Sequence, residues 1–142
     1  MVKCQNTTKK GRKLEDEVAD IYRQLDGVKS VIQNTSIMGI QVDVYVEIET
    51  QDGVSSRYAI DAKNFDCSVN SDHVRKCIND FTVLRNGNKI DHGLVVSATD
   101  FTKDSHAAAR ETAGVTLMEI ISNLLKALTI SNLLQKFLSS LI

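Results

Sequence analysis

Residues 41–49 read Gln-Val-Asp-Val-Tyr-Val-Glu-Ile-Glu, an unbroken alternation of polar and apolar side chains. This period belongs to a β-strand with one face buried, not to a helix, whose apolar positions recur every three or four residues. Val42, Val44, Val46 and Ile48 are expected on one face, and Gln41, Asp43, Tyr45, Glu47 and Glu49 on the other. The Gln51-Asp52-Gly53 step is a hairpin turn signal, and Ser55–Lys63 is the returning strand. Centring the hairpin on Asp52 puts Asp43 roughly opposite Asp61, because the start of one antiparallel strand neighbours the end of the next. On the second strand Asp61 and Lys63 share a face, and Ile60 and Ala62 share the other.

The flanking sequence predicts helices and further strands. Leu14, Val18, Ile21, Tyr22 and Leu25 form one stripe at steps of three and four, so Arg12–Leu25 is expected to be a helix ended by Gly27. Glu17 borders that stripe, as either a solvated rim residue or an acid aimed into a site beside the core. Val28–Ile32 reads as a short strand and Asn34–Gly39 as a loop. Ser71 or Asp72 can cap a helix running to about Leu84, with Val74, Cys77, Ile78, Phe81 and Leu84 inward. Gly93–Ala98 suits a buried strand, Thr102 caps a helix over Lys103–Ala113, and Val115–Met118 is a last short strand after Gly114. Strands alternating with helices imply parallel crossovers in one sheet.

The chain has 142 residues, enough for one domain with a core and too few for two ordinary ones. Three regions are expected: a basic flexible arm over 1–11, a core over 12–120, and a leucine-rich helical tail over 121–142. Leu124, Leu125, Leu128, Leu133, Leu134, Phe137, Leu138 and Leu141 give the tail a broad apolar face, suited to packing on the sheet or to a dimer contact.

A net charge of −1 excludes a global basic field, but Lys3, Lys9, Lys10, Arg12 and Lys13 precede the first acid, Glu15. Such a cluster is either a solvated terminus or a local contact for phosphates. The three cysteines, Cys4, Cys67 and Cys77, have no paired spacing, which argues against a disulfide framework or a zinc site and for reduced thiols. No signal-peptide core and no long apolar run is present, so a cytoplasmic protein that does not enter a membrane is expected.

Asp43, Asp61 and Lys63 are the residues with chemistry to offer. Two carboxylates can hold a hard divalent cation through oxygen. Such a cation activates water and clamps phosphate oxygens, and an ammonium beside it steadies developing negative charge. The arrangement suits metal-assisted phosphodiester cleavage. The plainer reading of Asp61 and Lys63 is an ion pair on a strand surface, worth about 0.2–1 kcal/mol.

The order of these residues resembles the PD-(D/E)xK nuclease superfamily, and most of all its Mrr-type branch and the archaeal Holliday junction resolvases. The resemblance covers about residues 11–120. It rests on Gly11–Glu17 for the first helix with its acid, Gly39–Val44 for the strand with the metal-binding acid, and Ile60-Asp61-Ala62-Lys63 for the D/E-x-K element. Ser97–Thr102 and the following alanines, then Gly114–Leu117, resemble the closing strand, helix and strand of an Mrr-like domain. Asp61 stands where Glu is commoner, which shortens its reach by one methylene.

The resemblance implies an α/β restriction-endonuclease-like fold, a three-layer α/β/α sandwich with a central mixed sheet, here with one or two C-terminal helices added. It implies a Mg²⁺-dependent endodeoxyribonuclease, Mn²⁺ being an alternative ion, acting on DNA as a homodimer. Asp43, Asp61 and the carbonyl of Ala62 would bind the metal, Lys63 would be the catalytic lysine, and Glu17 would complete the acidic site. Lys9, Lys10, Arg12 and Lys13 would contact nucleic acid. Two other readings stay open: a non-catalytic nucleic-acid-binding module on the same fold, and an assembly protein that works through its tail.

Overall fold

The computed structural model describes residues 8–120, with side chains from Gly11 onward. The expectations for residues 1–7 and for the leucine-rich tail lie outside the described residues. Three helices, α1 (Thr8–Arg23), α2 (Ser71–Asn86) and α3 (Lys103–Arg110), accompany five strands. The strands are β1 (Val28–Ile37), β2 (Ile40–Glu49), β3 (Ser55–Lys63), β4 (His92–Ser97) and β5 (Val115–Glu119). They form one sheet in sequence order. β1, β2 and β3 are antiparallel, and β3, β4 and β5 are parallel through the α2 and α3 crossovers. This is the mixed sheet that the alternation of elements predicts.

The layers follow from which face of each element is apolar. Leu14, Val18, Ile21, Tyr22 and Leu25 pack onto Val44, Val46, Ile60, Ala62, Leu94 and Val96 on one face of the sheet. Val74, Cys77, Ile78, Phe81 and Leu84 of α2, with Ala108 of α3, cover Ala59 and Val95 on the other. Asn70, not Ser71 or Asp72, caps α2, its side chain accepting from the backbone N–H groups of Asp72 and His73. Thr102 caps α3 as expected, through the N–H of Ser105.

Two elements are longer than the residues suggest. Asn34–Ile37, expected as loop, continues β1, and Met38 and Gly39 alone turn the chain, at φ 53° and 77°. Both positive values match a two-residue hairpin turn, which keeps the strands paired to the tip. Helix α1 begins at Thr8, before the expected Arg12, with Gly11 buried inside it. The single face expected for Val42–Ile48 holds from Val44 onward, whereas Val42 joins the cluster beneath α2. The β2–β3 ladder starts only at Val44 opposite Ile60, so Val42 is not bound by the β3 pairing.

The segments following β3 and β4 are tied together. Val69 bridges Phe101 in parallel, the Thr102 N–H donates to the Val69 carbonyl at 3.0 Å, and Thr99 Oγ1 donates to the Cys67 carbonyl at 2.8 Å. Against the expectation of reduced thiols throughout, Cys67 is disulfide-bonded. Cys77 is free. Among the described residues no helix is long and apolar enough to cross a membrane.

Candidate active site

Asp43 lies near the start of β2 and Asp61 near the end of β3, so the antiparallel pairing brings them to one end of the ribbon. The register is the expected one, with Val44 opposite Ile60 and Tyr45 opposite Ala59. One step beyond the last pair, the Ala62 N–H donates to Asp43 Oδ2 at 3.0 Å. A side chain thus takes the place of a backbone acceptor and pins Asp43 against β3. Lys63 Nζ lies 3.2 Å from Asp61 Oδ2, both side chains being about one-fifth to one-quarter exposed, at 18% and 25%. Cys77 Sγ donates to the same Asp61 oxygen at 2.6 Å.

Glu15 reaches this cluster from α1. It hydrogen-bonds Asp43 and Asn34 through its side chain and feels the charge of Asp61. Its Oε2 is buried with no hydrogen-bond partner. Asn34, at φ 53°, sits in β1 between Gln33, opposite Val44, and Thr35, opposite Val42. It therefore stands across from Asp43. The helix acid that joins Asp43 and Asp61 is Glu15, where the sequence reading pointed to Glu17. Glu17 is half-buried two residues along α1, about 200° round the helix from Glu15.

The electrostatics follow from crowding three acids at a half-buried place. Burial pushes the Asp43 carboxyl up, its hydrogen bond to Asp61 and the charge of Asp61 push it further, and it reaches about 8. Burial likewise raises Glu15. Burial works against ionised Asp61 too, but hydrogen bonds from Asp43, Lys63 and Cys77 and the charge of Lys63 outweigh it, and the carboxyl ends below its ordinary value. Burial opposes the Lys63 charge, yet Asp61 and its neighbours keep the ammonium's pKa above the usual one. At neutral pH Asp43 keeps a proton that it shares with ionised Asp61, and Lys63 is a cation.

These residues fit a hard divalent cation. The donors are all oxygen, one of them is buried and unanswered, and a proton bound at a raised pKa occupies the place between two carboxylates. Among the described residues no group of three or more His, Cys, Asp or Glu side chains stands where it could hold a metal ion by itself. Mg²⁺ does not require one, since it is held by one or two carboxylates with waters and substrate phosphates supplying the rest.

Of the expected nucleic-acid contacts, Arg12 and Lys13 are exposed on the turn of α1 just before Glu15. Lys9 and Lys10 lie on the first turn, and their side chains are outside the described ones. The histidines, scattered in sequence, each meet an aromatic ring: His73 with Phe65, His92 with Tyr58, and His106 with Phe101.

Two carboxylates from adjacent strands, a lysine two residues after the second and a helix acid behind the first meet at one end of the β2–β3 ribbon of a restriction-endonuclease-like α/β fold. Residues 7–125 match the Mrr catalytic-domain family of restriction endonucleases, and the chain belongs to that family. Solved structures share the fold. A protein of unknown function is similar at TM-score 0.60 and 18% identity, over 78% of this chain and 58% of that one. A repair endonuclease from Pyrococcus abyssi is similar at TM-score 0.57 and 14% identity, over 84% and 49%. EndoMS in complex with double-stranded DNA is similar at TM-score 0.57 and 15% identity, over 82% and 46%. The chain thus spans about half the length of these structures. No curated protein matches the sequence.

The sequence reading missed Glu15 and the thiol of Cys77. Glu15 and Glu17 flank the apolar stripe of α1 on opposite sides. The available signal was Ala19, fully buried, which widens the stripe towards Glu15. For Cys77 the sequence showed an inward helix position and nothing of its neighbour across the layer.

Proposed function

We propose that the chain is a divalent-metal-dependent endodeoxyribonuclease that hydrolyses DNA phosphodiester bonds. The observation that supports this most is the meeting of Asp43, Asp61 and Lys63 at one end of the β2–β3 ribbon, with Glu15 closing it from α1. Asp43 and Asp61, with the Ala62 carbonyl, would hold Mg²⁺ or Mn²⁺, and the unanswered Glu15 oxygen would bind the ion or one of its waters. A bound ion there would supply Lewis acidity to a phosphoryl oxygen and would lower the pKa of a water it holds. Lys63 stays charged and so acts as a donor to the phosphate oxygens, stabilising charge that builds during attack. Arg12 and Lys13, exposed beside Glu15, would hold flanking phosphates, and Lys9 and Lys10 extend that cluster in sequence.

DNA is the partner this chemistry serves, and the similarity to a structure of EndoMS bound to double-stranded DNA agrees with it. Mrr-like cutting of duplex and cutting of branched junctions are the two substrate classes consistent with the family. Cutting both strands of a duplex symmetrically takes two such sites, which a homodimer would supply. Full duplex-cutting activity in a species that sediments as a monomer would remove that part.

The test is cleavage of supercoiled plasmid, linear duplex, single strand and four-way junction with Mg²⁺ or Mn²⁺, beside Lys63→Ala. Metal-dependent cutting by the wild type, reduced about 10²–10³-fold in the variant, is expected. DNA binding without cutting under either metal would instead make the chain a non-catalytic binding module.

A further inference from the structure

Cys77 faces inward on α2, in the cluster with Val74, Ile78, Phe81 and Leu84. Packing alone would be served there by valine. The thiol adds a hydrogen-bond donor, and it is spent on Asp61 Oδ2 at 2.6 Å. Lys63 Nζ approaches the same oxygen at 3.2 Å. Asp43, Asp61 and Cys77 line one small cavity between the start of β2 and α2, with Gln41 and Asp80 beside them. One oxygen of the Asp61 carboxylate is thus held by two donors from two layers of the fold, a helix and a strand.

We propose that Cys77 is a positioning residue for the metal site. With Lys63 it takes Oδ2 of Asp61 and fixes the carboxylate plane, leaving the other oxygen as the one offered to a cation. Partners of this outer kind set the orientation of metal-binding side chains. Single-oxygen binding suits Mg²⁺ and Mn²⁺, whereas Ca²⁺ accepts both oxygens of a carboxylate. Cys77 therefore acts on affinity and on discrimination against Ca²⁺. This rests on the metal-dependent nuclease reading.

The experiment measures Mn²⁺ and Ca²⁺ binding to the metal-free full chain by calorimetry, with free Mn²⁺ followed by electron paramagnetic resonance, and without DNA. Wild type is compared with Cys77→Val, which keeps the volume and removes the donor, and Cys77→Ser, which keeps a donor. Mn²⁺ binding about 10-fold weaker in Cys77→Val, a raised Ca²⁺-to-Mn²⁺ affinity ratio, and Cys77→Ser within about threefold of wild type are expected. If Cys77→Val does not fold, Cys77→Ala serves in its place with the same expected loss. Equal Mn²⁺ affinity in wild type and the donor-less variant overturns this inference alone. So does a loss in Cys77→Ser as large as in Cys77→Val. Absence of Mn²⁺ binding by the wild type overturns the metal reading and this inference with it.

Discussion

Asp43 accepts the backbone N–H of Ala62 on its own side-chain oxygen, at 3.0 Å, one step past the last β2–β3 pair. The acid is therefore held in place by the strand that carries Asp61 and Lys63. Asn at this position keeps an oxygen acceptor for Ala62 and cannot become the carboxylate that a cation needs. Asp43→Asn should melt within about 5 °C of wild type while cleaving at least about 10²-fold more slowly. Calorimetry and plasmid nicking on the same preparation check this, and near-normal cutting would remove Asp43 from the site.

The proton on Asp43 makes stability depend on pH in a stated direction. Unfolded, the group ionises near its ordinary 3.8, and folded it keeps its proton up to about 8. Between those values the folded chain holds the extra proton, so the contribution is full below the lower value and fades as pH rises to the upper. The raised Glu15 acts in the same sense. The lowered Asp61 acts below its ordinary value, outside this window. The metal-free protein should melt at lower temperature as pH rises from about 5 to about 8, with most of that slope absent in Asp43→Asn. A slope of opposite sign would contradict the shared proton.

Metal binding should show the same proton from the other side. A cation between Asp43 and Asp61 must displace it, so Mn²⁺ affinity should rise about tenfold per pH unit below about 8 and level off above. Calorimetry in buffers of different ionisation enthalpy would count the proton released. A pH-independent affinity would place the ion elsewhere.

Glu15 and Glu17 make a sharp pair. Glu15→Gln should slow cleavage by about 10²-fold, and Glu17→Gln should stay within a few-fold of wild type. Single-turnover rates under saturating Mg²⁺ decide it, and the reverse ranking would restore Glu17 as the helix acid.

Gly93 tests the core beneath α2. A Cβ there would lie 2.2 Å from Phe81 Cδ2, so the ring occupies the space that any side chain needs. Gly93→Ala should cost about 1–3 kcal/mol in urea unfolding, the usual penalty of overpacking. A smaller cost would mean that Phe81 moves aside freely.

The hairpin and its acids were legible in the chain because a strand's period is two and a glycine turn fixes the register. Alternation over residues 41–49 and the turn at Asp52 were enough to place Asp43 beside Asp61 before any fold was known. The parallel half was legible for a related reason: short apolar strands separated by capped amphipathic helices admit few other arrangements. The turn at Met38-Gly39 was not legible, since Asn34–Ile37 carries no strong strand pattern and is held in β1 by its pairing with β2.

What the sequence determined by itself was therefore the element periods, the hairpin register, and which acids and which lysine share a strand face. Tertiary structure alone decided which flank of α1 meets the sheet end, and so that Glu15 and not Glu17 stands by Asp43. It also decided that a thiol from α2 reaches Asp61. Both contacts join residues whose spacing along the chain carries no signal. They are set by the angle and depth at which each helix packs on the sheet, and those depend on the whole core at once.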